Sequence, residues 1–348
     1  MLTIETIIEK LKTYDGPPMR IMEVCGSHTD AVAKNGIPSI LSEHITLLSG
    51  PGCPVCVTTS SYIDRLVELA REGQVIVTFG DLIRVPGSKD SLSTVRGEGC
   101  RVEMVYSPLD VIAMAEAEPE TDFVFAAVGF ETTAPVYALL VEEIVEKNIE
   151  NVRLLTALKT MPEVITQMLA DGAPVDGFLA PGHVSVVTGC ECFRPIAERY
   201  GIPFAVSGFT GEELLSALYS LITHRGEGIV TNCYPSVVTD EGNVRAMDAV
   251  RTFFQKCPAA WRGLGEVPDS GYILREEYRR WDAGSEGLIR DEKKNPACCC
   301  DRVLTGRMRP YECPLYGRVC QPMNPQGACM VSTEGSCYSY YINKRKDG

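Results

Sequence analysis

The stretch Cys298–Tyr341 constrains this chain most. It reads CCCDRVLTGRMRPYECPLYGRVCQPMNPQGACMVSTEGSCYSYY and holds seven of the chain's 15 cysteines: Cys298, Cys299, Cys300, Cys313, Cys320, Cys329 and Cys337. Between the cysteines lie Gly, Pro and short polar loops, with few residues able to build a core. Burial alone cannot offset the ordering entropy of such a segment. It needs a cross-link, which thiolates on a metal or cluster would supply. Disulfides are the rival, and they need an oxidising compartment.

Length and charge narrow the field. At 348 residues, with roughly 150 per domain, two or three domains are expected. The first residues, MLTIETIIEKLKTYDG, form an amphipathic helix pattern without the apolar block and cleavage site of a signal peptide. No apolar run approaches the roughly 20 residues of a membrane span. A cytoplasmic protein is expected, with thiols that are reduced, metal-bound or catalytic. A net charge of -13 argues against nucleic acid as a partner, because phosphate binding needs clustered Lys and Arg.

Apolar runs alternate with amphipathic helix patterns over residues 20–225. IMEV (21–24), ITLLSG (45–50), VIVTFGD (75–81), VEMVYS (102–107), DFVFAAVGF (122–130), VRLLTAL (152–158), GFLAP (177–181) and PFAVSG (203–208) read as strands. This rhythm predicts an α/β fold with mainly parallel sheets and helices on both faces. Residues 19–118 and 119–229 are each domain-sized and are expected to form two doubly wound lobes. Beyond about residue 230 the rhythm changes. Helices are expected at 243–257 and 273–282, with a loop at 263–271. Residues 230–348 are therefore expected to form a third, α-rich domain carrying the cysteines, joined by the N-terminal helix (1–18).

In open α/β sheets ligands gather at the carboxyl ends of strands, and unusual loops occupy that position here. Gly50-Pro51-Gly52-Cys53-Pro54-Val55-Cys56 puts two thiols in C-x-x-C spacing between a strand and a helix. A helix N-terminus favours thiolate, which suits a reversible dithiol/disulfide pair. A zinc site would need two more ligands, and no second C-x-x-C exists in the chain. Cys25, followed by Gly26 and His28, has the makings of a nucleophile or soft metal ligand, against a bland reading as a small packed apolar residue. Gly129-Phe130-Glu131-Thr132-Thr133 and Pro181-Gly182-His183 are further corners. Glu131 offers a proton donor there, although Thr132 or Thr133 capping a helix explains the motif as well. Cys100, Cys190, Cys192, Cys233 and Cys257 read as packing residues. In the tail, thiolates in fours mean iron–sulfur or zinc, and Cys313-Pro314 carries a pairing seen at some cluster ligands. Spacing leaves open which four of the seven bind.

Taken together, Cys25-Gly26-Ser27-His28-Thr29, the GPGCPVC loop, Gly129–Pro135, Pro181–Ser185 and CPLYGRVCQPMNPQGACMVSTEGSC resemble the HypD family of nickel–iron hydrogenase maturation proteins over nearly the whole chain. The resemblance implies a scaffold on which iron receives two cyanides and carbon monoxide, giving a transient Fe(CN)2CO group. The iron would sit between a cysteine of a small HypC-type chaperone and a cysteine of the HypD protein, which matches Cys25 here, with the following His matching His28. A HypE-type partner delivers cyanide as a thiocyanate. The resemblance also implies a 4Fe–4S cluster on Cys298, Cys313, Cys320 and Cys337, a redox pair at Cys300 and Cys329, and an inner pair at Cys53 and Cys56. Two α/β domains plus a cluster domain are the implied fold. This chain departs from the family pattern at Asp30, where many members have His, and at Cys298-Cys299-Cys300-Asp301, where the family has Cys-x-Cys-Gly.

Under this resemblance electrons reach the Cys25 pocket from the cluster by way of the two thiol/disulfide pairs, with His28 as the first and Glu131 and His183 as lesser candidates for proton handling. The alternative is a zinc-stabilised α/β module that binds a small ligand. A cysteine hydrolase built on Cys25 and His28 lacks an evident third orienting group. Colour separates the first two readings. Protein purified without oxygen should be brown and bleach on reduction, whereas a zinc protein would be colourless.

Overall fold

The computed structural model describes residues 2–343; Met1 and residues 344–348, the outermost parts of the expected N-terminal and third segments, lie outside the described residues. Among the described residues, eleven strands form two sheets. The first contains β1 (Met19–Glu23), β2 (Ile45–Ser49), β7 (Gly177–Pro181), β8 (Phe204–Ser207) and β9 (Val230–Asn232), in the order β2-β1-β7-β8-β9 and parallel throughout. The second contains β3 (Val75–Thr78), β4 (Val102–Met104), β5 (Phe123–Gly129), β6 (Val152–Lys159), β10 (Phe254–Trp261) and β11 (Gly265–Leu274), in the order β10-β11-β6-β5-β3-β4. Its β6, β5, β3 and β4 are parallel, and β11 and β10 add an antiparallel edge.

The expected α/β class with mainly parallel sheets is what the chain adopts. The strands are apolar runs because helices cover both faces of each sheet. Every residue of β3, β5, β7 and β8 is buried. The sheets do not follow chain order, however. Each of the runs 19–118 and 119–229 contributes strands to both sheets. Local alternation reports that a strand is buried, but not which neighbour it pairs with.

Two expectations about residues 243–282 fail. The helix Val244–Phe253 stops early, and Phe254–Leu274 forms a β-hairpin where the end of a helix and a loop were expected. Pro258 falls at a register shift between Cys257 and Ala259, one of the few places a strand tolerates proline. Residues 276–281 form a single 3-10 stretch instead of a full helix. The helix Ile4–Lys12 is capped by the Thr3 side chain and buries Ile7 and Leu11. It packs on helix Gly211–Thr223 of the first sheet, not on the cysteine-rich segment.

That segment consists of short turns and two short helices, Cys300–Leu304 and Ser336–Ile342. It shares a continuous core with elements of both sheets, including Cys53, Cys56, Phe130, Phe178 and Trp261. Ser336–Ile342 packs against helix Gly26–Lys34, and Ser332 Oγ donates to Asp81 Oδ2 at 3.2 Å.

The first sheet's core turns on Phe204, which stacks on Phe178 at 4.8 Å and on Phe193 at 5.4 Å, all three fully buried. Phe204→Ala should destabilise the protein by about 3–5 kcal/mol, read as a lower urea midpoint.

Candidate functional site

The carboxyl ends of β1, β2 and β7 from one sheet and of β3 and β5 from the other open onto a single cleft of about 350 Å³. Cys25, Gly52, Gly80, Thr133 and His183 line it, and the cysteine-rich segment closes it with Ser332 and Glu334. Strand ends leave backbone groups free to meet a ligand, which is why open α/β sheets place their sites there.

Two glycines let three segments meet at Cys25. A Cβ on Gly52 would collide with the backbone of Val24 and Cys25, and one on Gly26 would lie 2.5 Å from Glu334 Cβ. The Gly26 N–H donates to Gly52 O at 3.0 Å, locking the two strand-end loops together. Cys25 is the residue immediately before helix Gly26–Lys34, so its sulfur faces the helix N-terminus. Burial nevertheless dominates and, with the nearby Glu334 charge adding to it, pushes the thiol up to about 11, against the opposing His28 and Ser27 backbone N–H groups. The resting group is therefore a protonated thiol, and a cation taking its place would displace that proton.

His28 is fully buried, and burial pulls its pKa down to about 4. Its Nε2 lies 3.1 Å from both Ser207 O and Gly208 O, so the neutral ring carries its hydrogen there and donates to the carbonyls. Nδ1 is buried without a hydrogen-bond partner. His28 thus ties the Cys25 helix to the end of β8, and the imidazole that lines the cleft is His183. Both rings pack on Phe209, at 4.8 and 4.2 Å. Burial lowers the His183 pKa as well.

Cys53 and Cys56 are buried and joined as a disulfide, with Cα atoms 5.2 Å apart. Their loop lies between Ser49, where β2 ends, and Ser60, where the next helix begins. The C-x-x-C therefore precedes the helix by a full turn and gains no direct benefit from its N-terminus. Cys25 and Cys300 occupy such positions instead.

All seven cysteines of the tail line one small pocket, together with Val303, Leu315, Tyr316, Gly327 and Met330. The sulfurs of Cys300 and Cys329 are 2.7 Å apart. The neighbouring thiols of Cys298 and Cys329, aided by the Arg262 charge, hold Cys300 well below the usual thiol range, while Cys329 is held well above it by its contacts with Cys300 and Cys337. Cys298, Cys320 and Cys337 are buried, whereas Cys299 and Cys313 are half-buried.

Three groups carry no sequence signal that would have singled them out. Glu334 accepts from Ser27 Oγ at 3.1 Å, and burial raises its pKa beside Cys25. Arg262, at the tip of the β10–β11 hairpin, is buried; its backbone N–H donates to Val57 O and its Nε to Thr58 O, each at 2.9 Å, just past the disulfide. Its Nη2 is buried without a partner. Lys159 donates from Nζ to Ala260 O at 2.8 Å, and burial lowers its pKa to about 8. Of the remaining thiols, Cys190 donates to Asp240 Oδ1 at 3.3 Å. Glu131 turns away from the cleft: Phe130, Thr132 and Thr133 line it, while Glu131 Oε1 accepts the Met161 N–H at 2.7 Å and caps helix Met161–Ala170.

Residues 2–344 match the HypD family, described as "Hydrogenase formation hypA family". The chain belongs to the HypD family. A relative from Methanocaldococcus jannaschii, provisionally named a hydrogenase expression/formation protein, is 41% identical over 331 residues, covering 94% of this chain and 92% of its own. The hydrogenase maturation factor HypD of Escherichia coli K12 is 38% identical over 340 residues, covering 95% of this chain and 90% of its own. The hydrogenase maturation factor HypD1 of Bradyrhizobium diazoefficiens is also 38% identical over 340 residues, at 94% and 90% coverage. The chain is thus a HypD-type hydrogenase maturation factor. Among the described residues no helix is long and apolar enough to cross a membrane.

Burial lifts the Glu131 carboxyl from its ordinary 4.5 to about 7, and its Oε2 has no partner. A carboxyl with a raised folded-state pKa favours the native state below its unfolded pKa, and that advantage is lost as pH climbs through the folded value. Between about pH 5 and about pH 8, Glu131→Gln should therefore lose about 2–3 kcal/mol less unfolding free energy than the parent, measured by urea denaturation.

Proposed function

We propose that this HypD-family chain is the redox-active scaffold on which the Fe(CN)2CO group of nickel–iron hydrogenases is assembled, working with a HypC-type chaperone and a HypE-type cyanide donor in the cytoplasm. One observation carries the reading: a buried thiol lines the cleft where the carboxyl ends of two sheets meet, and the disulfide in a loop of that cleft shares one core with five of the tail cysteines.

Iron is the cargo in this reading. Cys25 is its protein ligand, since thiolate suits low-valent iron and the proton it loses is the one burial now holds. A second cysteine, from the chaperone, would reach the iron in the same cleft. His28 acts by position: its two hydrogen bonds fix the helix that starts at Cys25. Besides Cys25, the titratable groups that line the cleft are His183, Asp81 and Glu334.

The tail pocket fits a 4Fe–4S cluster. Its donors are sulfur only, and apolar Val303, Leu315 and Met330 surround them. Cys298, Cys313, Cys320 and Cys337 would hold the group, which when bound supplies electrons one at a time. The chain's own thiols handle the electrons in pairs. A thiolate at Cys300 attacks the Cys53–Cys56 disulfide, and Cys329 resolves the mixed disulfide. The products are a Cys300–Cys329 disulfide and a Cys53/Cys56 dithiol, with two electrons moved. A thiocyanate takes two electrons as its S–C bond breaks, giving a thiolate and cyanide. The Cys53/Cys56 dithiol supplies both electrons as it closes again, releasing two protons, one of which the product thiolate takes up. Arg262 lies against the backbone that follows Cys56 and offers its charge to the sulfur anions formed there.

Infrared spectroscopy of the complex with the small chaperone tests the reading. Cys25→Ala should abolish the iron-bound cyanide and carbonyl bands and leave the visible absorption of the tail cluster intact. Undiminished bands would refute the ligand role.

A further inference from the structure

Seven sulfurs line the tail pocket, yet a cubane cluster takes four ligands and the Cys300/Cys329 pair takes two more. Cys299 is left over. It does not behave as a packing residue: it is half-buried and it lines the pocket. Its one hydrogen bond outside the thiols is a weak S–H donation to the Ala297 carbonyl at 3.5 Å. It shares that pocket with Cys313. The expected ligands also divide unevenly. Cys298, Cys320 and Cys337 are buried at 9, 7 and 9% exposure, whereas Cys313 is half-buried like Cys299.

We propose that Cys299 and Cys313 are interchangeable ligands at the one exposed corner of the metal–sulfur site, the other three corners being fixed by Cys298, Cys320 and Cys337. This rests on the cluster reading above. The two thiols reach the corner from different segments. Cys299 sits at the start of helix Cys300–Leu304, where its carbonyl accepts the Arg302 and Val303 N–H groups. Cys313 follows the turn Pro310–Glu312. An exchange of one for the other would move no electrons. The site therefore keeps four thiolates whichever of the two is bound, and the unbound one remains a free, solvent-accessible thiol.

Iron and acid-labile sulfide are measured on anaerobically purified full-length protein. Cys299→Ala and Cys313→Ala should each retain the parent's content, and the Cys299→Ala/Cys313→Ala double variant should lose at least the corner iron, as Cys320→Ala does. Cys313→Ala falling as far as the double variant, Cys299→Ala falling by itself, or a double variant with full content would each overturn the inference. A second measurement needs no variant. Iodoacetamide applied to the loaded parent protein should modify Cys299 in some molecules and Cys313 in others, but never both in one molecule; modification confined to Cys299 would overturn the inference. Parent protein without iron or sulfide would instead overturn the cluster reading on which it rests, and that result is distinct from the others.

Discussion

The structure depends on a close approach of backbones that only glycine permits. Gly52 lies against the backbone of Val24 and Cys25, and Gly26 lies against Glu334. These contacts bring the ends of β1 and β2 and a segment more than 300 residues downstream to one point. A methyl group at either glycine would separate the segments and open the wall of the cleft. The cysteine-rich tail then has a surface to pack on, which its own composition cannot supply. Its sulfurs join Phe130, Phe178 and Trp261 in one core, so tail and lobes order one another.

Much of this was legible in the sequence. Fully buried parallel strands are apolar runs, so VIVT and DFVFAAVGF announced themselves. The loops with Cys25, Cys53, Gly129 and His183 were marked by falling at strand ends, and all but the disulfide face the cleft directly. Pairing was not legible. The chain leaves the first sheet after β2 and returns at β7, a choice made by long-range burial that no local period records. The β10–β11 hairpin was missed because Pro258 and Pro268, with Gly265 and Gly271, read as loop residues. The role of Glu131 was misjudged for a related reason. Its position at a strand end is correct, but a side chain at a corner can turn either way, and this one turns to the Met161 N–H.

Arg262 shows a different limit. A buried guanidinium is costly unless its donors are met, and its Nε and backbone N–H are met by carbonyls of residues 57–58. Nη2 is not. A sequence gives no indication that an arginine in a hairpin turn will be buried between the loop after a disulfide and a second thiol pair. Under the proposed reading, in which sulfur anions form at the neighbouring pair, a fixed cation lowers the cost of each anion, with Asp291 Oδ1 at 3.6 Å from Nε as its counter-charge.

The charge state of the cleft follows the same logic. Burial holds Cys25 as a thiol and His28 as a neutral ring, and it raises the Glu334 carboxyl. Cys25 and His28 lose their charge for one reason, the low polarizability of the surroundings, which also disfavours the Glu334 carboxylate. Such a site has little affinity for a simple anion. It suits a cation that replaces a proton on sulfur, since the exchange leaves the net charge low when the metal brings anionic ligands with it. Under the proposed reading, iron carrying cyanide meets that condition. The burial that makes the free thiol a poor nucleophile then favours the finished metal–thiolate, because a low-dielectric pocket strengthens the pairing of the sulfur with the metal.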